Sequence, residues 1–322
     1  MRRLLVPASA VLGLTLPVMI AAAPSAVASG DGPGRPATYS MAGDAGGSKF
    51  EGIGVDHQQR TFYVTETTGG EIHRGDVRTG ATEEWLAEGV DDRSTARGIT
   101  TDADGRIYIA GGPNGLNNDR PDLWVYAPDG ALLAALRVDV ANAFLNDVTI
   151  GPDGAAYFTN SNAPQVFRVQ EEDGGWQVST WADATGTITP QEGFNLGGIV
   201  VSPNRRALVV AQGNAGVLWR FDLRTGQATR IDTGHVDLVD ADGLVLHGSR
   251  LTVIRNFSRL LTTLRLDRDA RTADLLGGTP TDPARVFTTG KEARGRLLLV
   301  DSKFDEPVAA PPYEVVAVPL PR

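Results

Sequence analysis

The stretch Arg97-Gly98-Ile99-Thr100-Thr101-Asp102-Ala103-Asp104-Gly105-Arg106-Ile107-Tyr108-Ile109-Ala110 contains a complete β-hairpin pattern. Two β-rich runs flank an Asp-Gly turn, which is a strong short-range hairpin signal. The same pattern returns at residues 146–159 and 197–210, and in weaker form at 51–64 and 242–254. The copies start at residues 51, 97, 146, 197 and 242, so they recur every 45 to 51 residues. The chain is therefore an internal repeat.

Each hairpin is followed by a third strand and often by a fourth. In one unit, residues 218–222 and 227–231 are two such strands on either side of a Leu-Arg-Thr-Gly turn. Four antiparallel strands with this period are typical of a propeller blade. A looser sixth unit starts near residue 282 and has later strands at 296–301 and 313–318. A β-sandwich or two small barrels would give short strands, but no reason for the same hairpin to return.

The sequence thus predicts an all-β, six-bladed β-propeller of four-stranded antiparallel blades that spans residues 37–322. Ring closure normally pairs one terminus into the blade begun by the other, which removes open strand edges. Residues 37–41 are the predicted closing strand, and residues 29–36 a flexible leader.

The N-terminal segment has the features of a secretory signal peptide. Met1-Arg2-Arg3 precedes an apolar run over residues 4–23, and Ala26-Val27-Ala28 follows as a small-residue exit. We expect residues 1–28 to be removed and the mature protein to be secreted into the extracellular space. The alternative is an uncleaved membrane anchor, which the interruptions at Pro7, Gly13 and Pro17 disfavour.

The amino-acid composition excludes or disfavours several kinds of site and binding partner. The chain has no cysteine, which excludes disulfides and cysteine-based metal or nucleophile sites. A net charge of −9 disfavours electrostatic capture of nucleic acid or of an anionic membrane, because both require clustered Lys and Arg. We expect a monomer that takes a small-molecule substrate or ligand.

Aligning the repeats predicts which residues meet on the axis. In a propeller the innermost strand of each blade lines the channel, so the residue that enters this strand lies at one mouth. Two carboxylates, an amide and a guanidinium should converge there, and the sixth blade should contribute a residue near 281–283. The aligned positions are Glu51, Arg97, Asn146, Gly197 and Asp242.

An all-oxygen set of carboxylates and amides suits a hard divalent cation such as Ca²⁺, which takes six to eight oxygen ligands. Such an ion can polarise a carbonyl or phosphoryl oxygen and support hydrolysis. The alternative is that Glu51 and Asp242 are merely polar positions at the start of strands, either solvated or paired with Arg97.

At the same residues the chain resembles the SMP-30/gluconolactonase/LRE-like propellers, which are related to phosphotriesterases of the DFPase and paraoxonase type. The matching pieces are Phe50-Glu51-Gly52, Leu145-Asn146-Asp147 with the later Pro152-Asp153-Gly154, and Ala241-Asp242-Gly243-Leu244. The resemblance implies a hydrolase in which Glu51, Asn146 and Asp242 hold one divalent ion. It also implies that Asp242 is the general base.

The chain departs from the family pattern at one ligand. Where the family has a second Asn, this chain has Gly197-Gly198-Ile199, and Asn195 lies two residues earlier. Either the loop bulges so that Asn195 supplies the oxygen, or the ligand is lost. Asn146 also lacks the preceding arginine of sugar-lactone enzymes in the family, which suggests a more apolar ligand.

Two further residues are candidates for substrate binding besides Asn146. Arg97 is a cation facing the site that could bind a substrate carboxylate or phosphate, or instead pair with Glu51 or Asp242. His235 precedes the fifth blade and could overhang the site as a base, or be an exposed loop residue. No pair of the four histidines has zinc-ligand spacing, and no Gly-x-Ser-x-Gly motif is present.

Three functions remain open from the sequence. The first is a metal-dependent lactonase or esterase at the mouth of the channel. The second is a ligand- or protein-binding propeller without catalysis, because fold does not imply function. The third is a metal-free enzyme similar to strictosidine synthase.

Overall fold

The computed structural model describes residues 35–112 and 120–321. The predicted signal peptide and most of the predicted leader lie outside these residues. The described part forms six four-stranded antiparallel sheets arranged in a ring, so the predicted six-bladed β-propeller is confirmed. Helical structure in this part is confined to two short 3-10 turns, Val90–Asp92 and Gly213–Ala215, and no helix there is long and apolar enough to span a membrane.

The strands follow the chain from the innermost to the outermost position of each blade, except in the last blade. The closing strand is β1 (Thr38–Met41). Blade one is β2 (Phe50–Val55), β3 (Thr61–Glu66), β4 (Ile72–Asp76) and β5 (Thr82–Leu86). Blade two is β6 (Ile99–Thr101), β7 (Ile107–Ala110), β8 (Leu123–Tyr126) and β9 (Leu132–Leu136). Blade three is β10 (Leu145–Ile150), β11 (Ala156–Asn160), β12 (Gln165–Glu172) and β13 (Gly175–Asp183).

The remaining blades have the same order. Blade four is β14 (Leu196–Val201), β15 (Ala207–Gln212), β16 (Val217–Asp222) and β17 (Ala228–Arg230). Blade five is β18 (Ala241–His247), β19 (Arg250–Arg255), β20 (Leu260–Leu266) and β21 (Ala273–Pro280). Blade six is β22 (Phe287–Ala293), β23 (Arg296–Asp301) and β24 (Tyr313–Pro319), with β1 as its outermost strand.

The hydrophobic core lies between the blades. Each of the six buried apolar clusters combines side chains from two neighbouring blades, and together they cover all six junctions. At the junction of blades two and three, for example, Phe158 and Phe167 pack with Val125 and Tyr108. Because every sheet buries both faces this way, each blade depends on its two neighbours for stability.

The ring closes through β1. This strand pairs with β24, with Thr38 opposite Val316 and Met41 opposite Tyr313. Tyr39 is fully buried, packs edge-on against Phe62 of blade one, and donates a hydrogen bond to the carbonyl oxygen of Val77 at 2.8 Å. The closing strand is therefore fastened to the first blade as well as to the last.

A β-bulge recurs at the mouth end of the inner strands. The pairing register shifts at the same place in five blades, and in the second blade Arg97-Gly98 precedes β6 at the equivalent position. In the sixth blade the register shift places Thr288 at the equivalent position, so the prediction of residues 281–283 was wrong. Thr288 is fully buried, and its Oγ1 donates a hydrogen bond to the carbonyl oxygen of Glu51 at 2.9 Å. The prediction failed because this blade has Thr289 where blades one, two, four and five have glycine, so no glycine-containing dipeptide marked the position. The five bulged pairs are Glu51-Gly52, Asn146-Asp147, Gly197-Gly198, Asp242-Gly243 and Thr288-Thr289.

In blades one, two, four and five the second residue at this position is a glycine that lies against the backbone of the next blade. A Cβ on Gly98 would lie 2.6 Å from the carbonyl oxygen of Asn146, and one on Gly198 would overlap the carbonyl oxygen of Asp242. Glycine is needed there because two backbones approach closely. In blades one to five the residue before this position lies at the mouth.

Replacing Gly198 with alanine should therefore destabilise the ring. We expect Gly198→Ala to lower the free energy of unfolding by about 1–3 kcal/mol, since the added methyl overpacks a backbone contact. Gly197→Ala is the matched control, because its Cβ would meet its nearest atom at 3.6 Å, an ordinary contact distance. Urea unfolding would measure both variants. Equal stability of the two would contradict this account of the blade contact.

Candidate functional site

The mouth of the channel opens into a cavity of about 450 Å³ between the blades. Below it lies a cavity of about 10 Å³, roughly the space one water requires. Glu51, Asn146 and Asp242 border both cavities, and Arg97 borders the upper one. The structure thus brings these four predicted residues together, and we refer to them as the axial site.

Arg97 pairs with Glu51. Nη1 of Arg97 donates to Oε2 of Glu51 at 2.8 Å, and both residues are buried. The guanidinium lies over the ring of Phe144, with Cζ 4.1 Å from the ring centroid. Burial raises the pKa of Glu51, although the charge of Arg97 opposes this shift. Of the pairings left open by the sequence, the structure selects Glu51.

One carboxylate oxygen of Asp242 accepts a hydrogen bond, and the other lies near Gly197. Its Oδ2 accepts a hydrogen bond from Nδ2 of Asn256 at 2.8 Å. A Cβ at residue 197 would lie 3.8 Å from Oδ1 of Asp242 and 3.7 Å from Oδ1 of Asn146, so both oxygens border this open position. Burial, with the nearby charge of Glu51, raises the pKa of Asp242 well above its ordinary value.

Sequence reasoning missed Asn256, which directly follows β19. It also missed Asp147, the second residue of the blade-three bulge. Asp147 stands where blades one, two, four and five have glycine, and this irregularity in the repeat was a usable signal. Its Oδ1 accepts from the amide of Val148 at 2.8 Å and its Oδ2 from that of Ile199 at 3.2 Å. Burial raises the pKa of Asp147, against the opposing charge of Lys291.

The side-chain amide of Asn195, a predicted metal ligand, makes hydrogen bonds within its own loop. Its Oδ1 accepts from the amide of Gln191 at 2.8 Å and from Nε2 of Gln212 at 3.0 Å. Its Nδ2 donates to the carbonyl oxygens of Gln191 and Gly193. Metal ligation by Asn195 stays a prediction, and it would require Oδ1 to give up these hydrogen bonds.

His235 is exposed on the loop before β18 and is not among the residues that border the mouth cavity. The structure therefore does not bring this predicted substrate-binding residue to the axial site. Asp240 and Ala241, at the end of the same loop, do border the cavity.

Four phenylalanines give the mouth an apolar wall. Phe194 and Phe257 are 57% and 52% exposed, respectively, and both border the cavity. Phe194 contacts Phe144 with a ring-centroid distance of 4.9 Å, and Phe304 also borders the cavity. Exposed aromatic side chains beside a polar centre are typical of a small-molecule site.

Solved structures of other proteins have the same architecture. A gluconolactonase from Xanthomonas campestris superposes with a TM-score of 0.59 at 19% identity, over 85% of this chain and 87% of that chain. The chain shares the fold of a gluconolactonase. This confirms the fold implied by the resemblance to the SMP-30/gluconolactonase/LRE-like propellers.

Proteins with other names share the fold too. Virginiamycin B lyase from Staphylococcus aureus superposes with a TM-score of 0.57 at 14% identity, over 82% of this chain and 81% of that one. The major allergen of Malassezia sympodialis gives 0.65 at 16% identity, over 88% and 96%. No family model and no curated protein matches the sequence. These identities establish the fold, so the function must be argued from the axial site.

Replacing only one member of the Glu51–Arg97 pair should lower the free energy of unfolding more than replacing both. We expect Arg97→Met to destabilise the protein by about 3–5 kcal/mol, because it leaves a buried carboxylate without its counter-charge. Methionine keeps an apolar contact with Phe144. The double variant Glu51→Gln with Arg97→Met should recover much of that loss in urea unfolding. A double variant no more stable than Arg97→Met would show that charge pairing is not the cause.

Proposed function

We propose that this chain is a hydrolase of the lactonase or esterase type that acts on small molecules at the mouth of the channel. The observation that carries the proposal is the state of Asp242. One of its oxygens is fixed by Asn256, the other borders the open position at Gly197, and its pKa is raised. A positioned carboxylate with a raised pKa is suited to general-base catalysis. The fold shared with a gluconolactonase supports the same reaction class.

We further propose that Glu51, Asn146 and Asp242 hold one divalent cation, with Ca²⁺ the best fit. All three residues offer oxygen ligands, which hard cations prefer, and all three border the same cavity of about 10 Å³. Three buried carboxyls, including Asp147, lie here, whereas the cations that act on them are Arg97 and Lys291. Such an ion, when bound, would polarise the carbonyl of an ester.

Three further roles in the proposed reaction fall to Asp242, Asn256 and Arg97. Asp242 accepts the proton of the attacking water through Oδ1 and returns it to the alkoxide oxygen released when the ester C–O bond breaks. Asn256 keeps the carboxylate in a fixed orientation. Arg97 is locked by Glu51 and by the ring of Phe144. Its positive charge is therefore in place to stabilise negative charge that develops on the substrate.

The apolar wall indicates the kind of ester. Phe194 and Phe257 offer exposed rings to a substrate whose reacting group lies over Asp242. We therefore propose lactones or esters with an alkyl or aryl group in preference to sugar lactones. We also retain export through the N-terminal signal peptide and a monomeric state as parts of this proposal.

The second candidate is a binding propeller without catalysis. The Glu51–Arg97 pair favours this candidate, because the guanidinium of Arg97 is already bound to Oε2 of Glu51, one of the expected metal ligands. A protein that binds alkyl or aryl carboxylates through Arg97 would need no metal.

Replacing Asp242 with asparagine should slow hydrolysis strongly. Against a panel of alkyl lactones and aryl esters, we expect Asp242→Asn to lower kcat/KM by at least about 100-fold, the range of general-base contributions. Asp237→Asn is the matched control, because Asp237 is exposed in the loop before β18 and does not border the cavity. Binding of these compounds by the wild type without turnover would favour the second candidate.

Restoring the missing ligand should strengthen metal binding. Gly197→Asn adds an amide beside Oδ1 of Asn146 and Oδ1 of Asp242, where a Cβ fits at ordinary contact distances. We expect at least about tenfold tighter Ca²⁺ binding in calorimetric titration, equivalent to ~1.4 kcal/mol. Gly197→Ala is the control and should bind as the wild type does. If Asp242→Ala leaves the Ca²⁺ titration of the wild type unchanged, the metal part of the proposal fails.

A further inference from the structure

Three acidic side chains from separate segments meet at the edge of blade one. Asp44 lies between β1 and β2, Glu71 directly precedes β4, and Glu88 follows β5. Each offers a carboxylate oxygen, and the three oxygens lie within 4.8 Å of one another. We refer to these residues as the blade-one acidic cluster. They lie at the same end of the blade as the mouth, because β2 and β4 start there and β3 and β5 end there, but none of them borders the mouth cavity.

Glu71 is the buried member of the cluster. Its side chain is only 4% exposed, and its Oε2 is shielded from solvent without a hydrogen-bond partner among the described residues. The carboxylate packs against Gly69, where a Cβ would lie 2.5 Å from Oε2. A buried charged oxygen without a partner is costly unless it takes up a proton or a cation.

The basic side chains nearby make their hydrogen bonds to other groups, although the charge of Arg93 lies close enough to interact with that of Glu71. Arg93 donates through Nε to the carbonyl oxygen of Gly70 at 2.5 Å, and through its other nitrogens to Ala87 and Tyr126. His73 contacts Glu66 at 3.4 Å. Burial, with the charges of Glu66, Asp44 and Glu88, raises the pKa of Glu71 to about 7.

We propose that Asp44, Glu71 and Glu88 form a calcium-binding site, separate from the axial site. Three carboxylates supply hard oxygen ligands, and the exposed positions of Asp44 and Glu88 leave room for water to complete the coordination. Ca²⁺ accepts such an irregular set of six to eight oxygens, whereas Mg²⁺ demands near-octahedral geometry.

The site would reinforce the closure of the ring. Asp44 belongs to the segment that leads from the closing strand β1 into blade one, whereas Glu71 and Glu88 belong to blade one itself. A bound cation connects the two and opposes their separation. Because the ion binds the folded state through three segments that separate on unfolding, it stabilises the folded protein.

Thermal unfolding of the protein at pH 8 tests this inference. It is measured first in chelator and then in about 5 mM CaCl₂, a concentration high enough to fill a weak Ca²⁺ site. The wild type should gain at least about 2 °C in Tm with Ca²⁺. Glu71→Gln should have a higher Tm than the wild type in chelator, since it removes a buried charge whose Oε2 has no hydrogen-bond partner among the described residues. Its gain from Ca²⁺ should be smaller than that of the wild type by the contribution of this site. Glu84→Gln, an exposed residue of β5 outside the cluster, should respond as the wild type does.

The effect of Ca²⁺ at the blade-one acidic cluster must be distinguished from its effect at the axial site. We therefore repeat the measurement in an Asp242→Ala background, where the Ca²⁺ shift should persist and should be lost on adding Glu71→Gln. Asp44→Asn, which alters an exposed residue and is expected to fold normally, should reduce the shift in the same background. In the Asp242→Ala background, a shift that survives the addition of Glu71→Gln overturns the inference, and so does the absence of any Ca²⁺ shift before Glu71→Gln is added. Loss of all Ca²⁺ binding with Glu71→Gln alone would instead leave the inference standing and remove the metal from the proposed function.

Discussion

The backbone contact between neighbouring inner strands is the constraint on which the rest of the structure depends. Gly52, Gly98, Gly198 and Gly243 lie directly against the backbone of the next blade. A Cβ added at any of these four glycines would overlap that backbone, so the two blades in contact would have to move apart. The same bulge leaves its first residue at the mouth. The dipeptide that brings the blades together therefore also places Glu51, Arg97, Asn146 and Asp242 around one cavity.

Charge at the axis is distributed unevenly. Arg97 compensates Glu51 directly, and Lys291 acts on Asp147, whereas Asp242 has an uncharged amide from Asn256 as its hydrogen-bond partner. In a buried setting such a carboxyl either holds a proton or draws a cation toward it. Asp242 is for this reason the group at the mouth best suited to chemistry. The phenylalanine side chains beside it add an apolar surface to the mouth.

The closure of the ring and the blade-one acidic cluster are parts of one region. The apolar layer between blades six and one includes Tyr39 and Met41 of β1, so the short closing strand contributes directly to the core. The segment after β1 then carries Asp44 to the edge of blade one. A short strand is a weak point of any closed ring, and an ion that binds beside it would stabilise the junction where the chain can most easily open.

The sequence by itself determined the repeat, and with it six blades, the closing strand and the axial positions of Glu51, Arg97, Asn146 and Asp242. It could do so because hairpin signals are local and the repeat copies them into equivalent places. It misplaced the equivalent residue of the sixth blade, since Thr289 stands there in place of the glycine that marks four other blades, and it missed Asn256 and Asp147. Only the tertiary structure decided that Arg97 pairs with Glu51, that Asn195 holds its own loop, and that three distant carboxylates meet at blade one. These depend on loop conformations and contacts between blades, for which neighbouring residues in the chain carry no periodic signal.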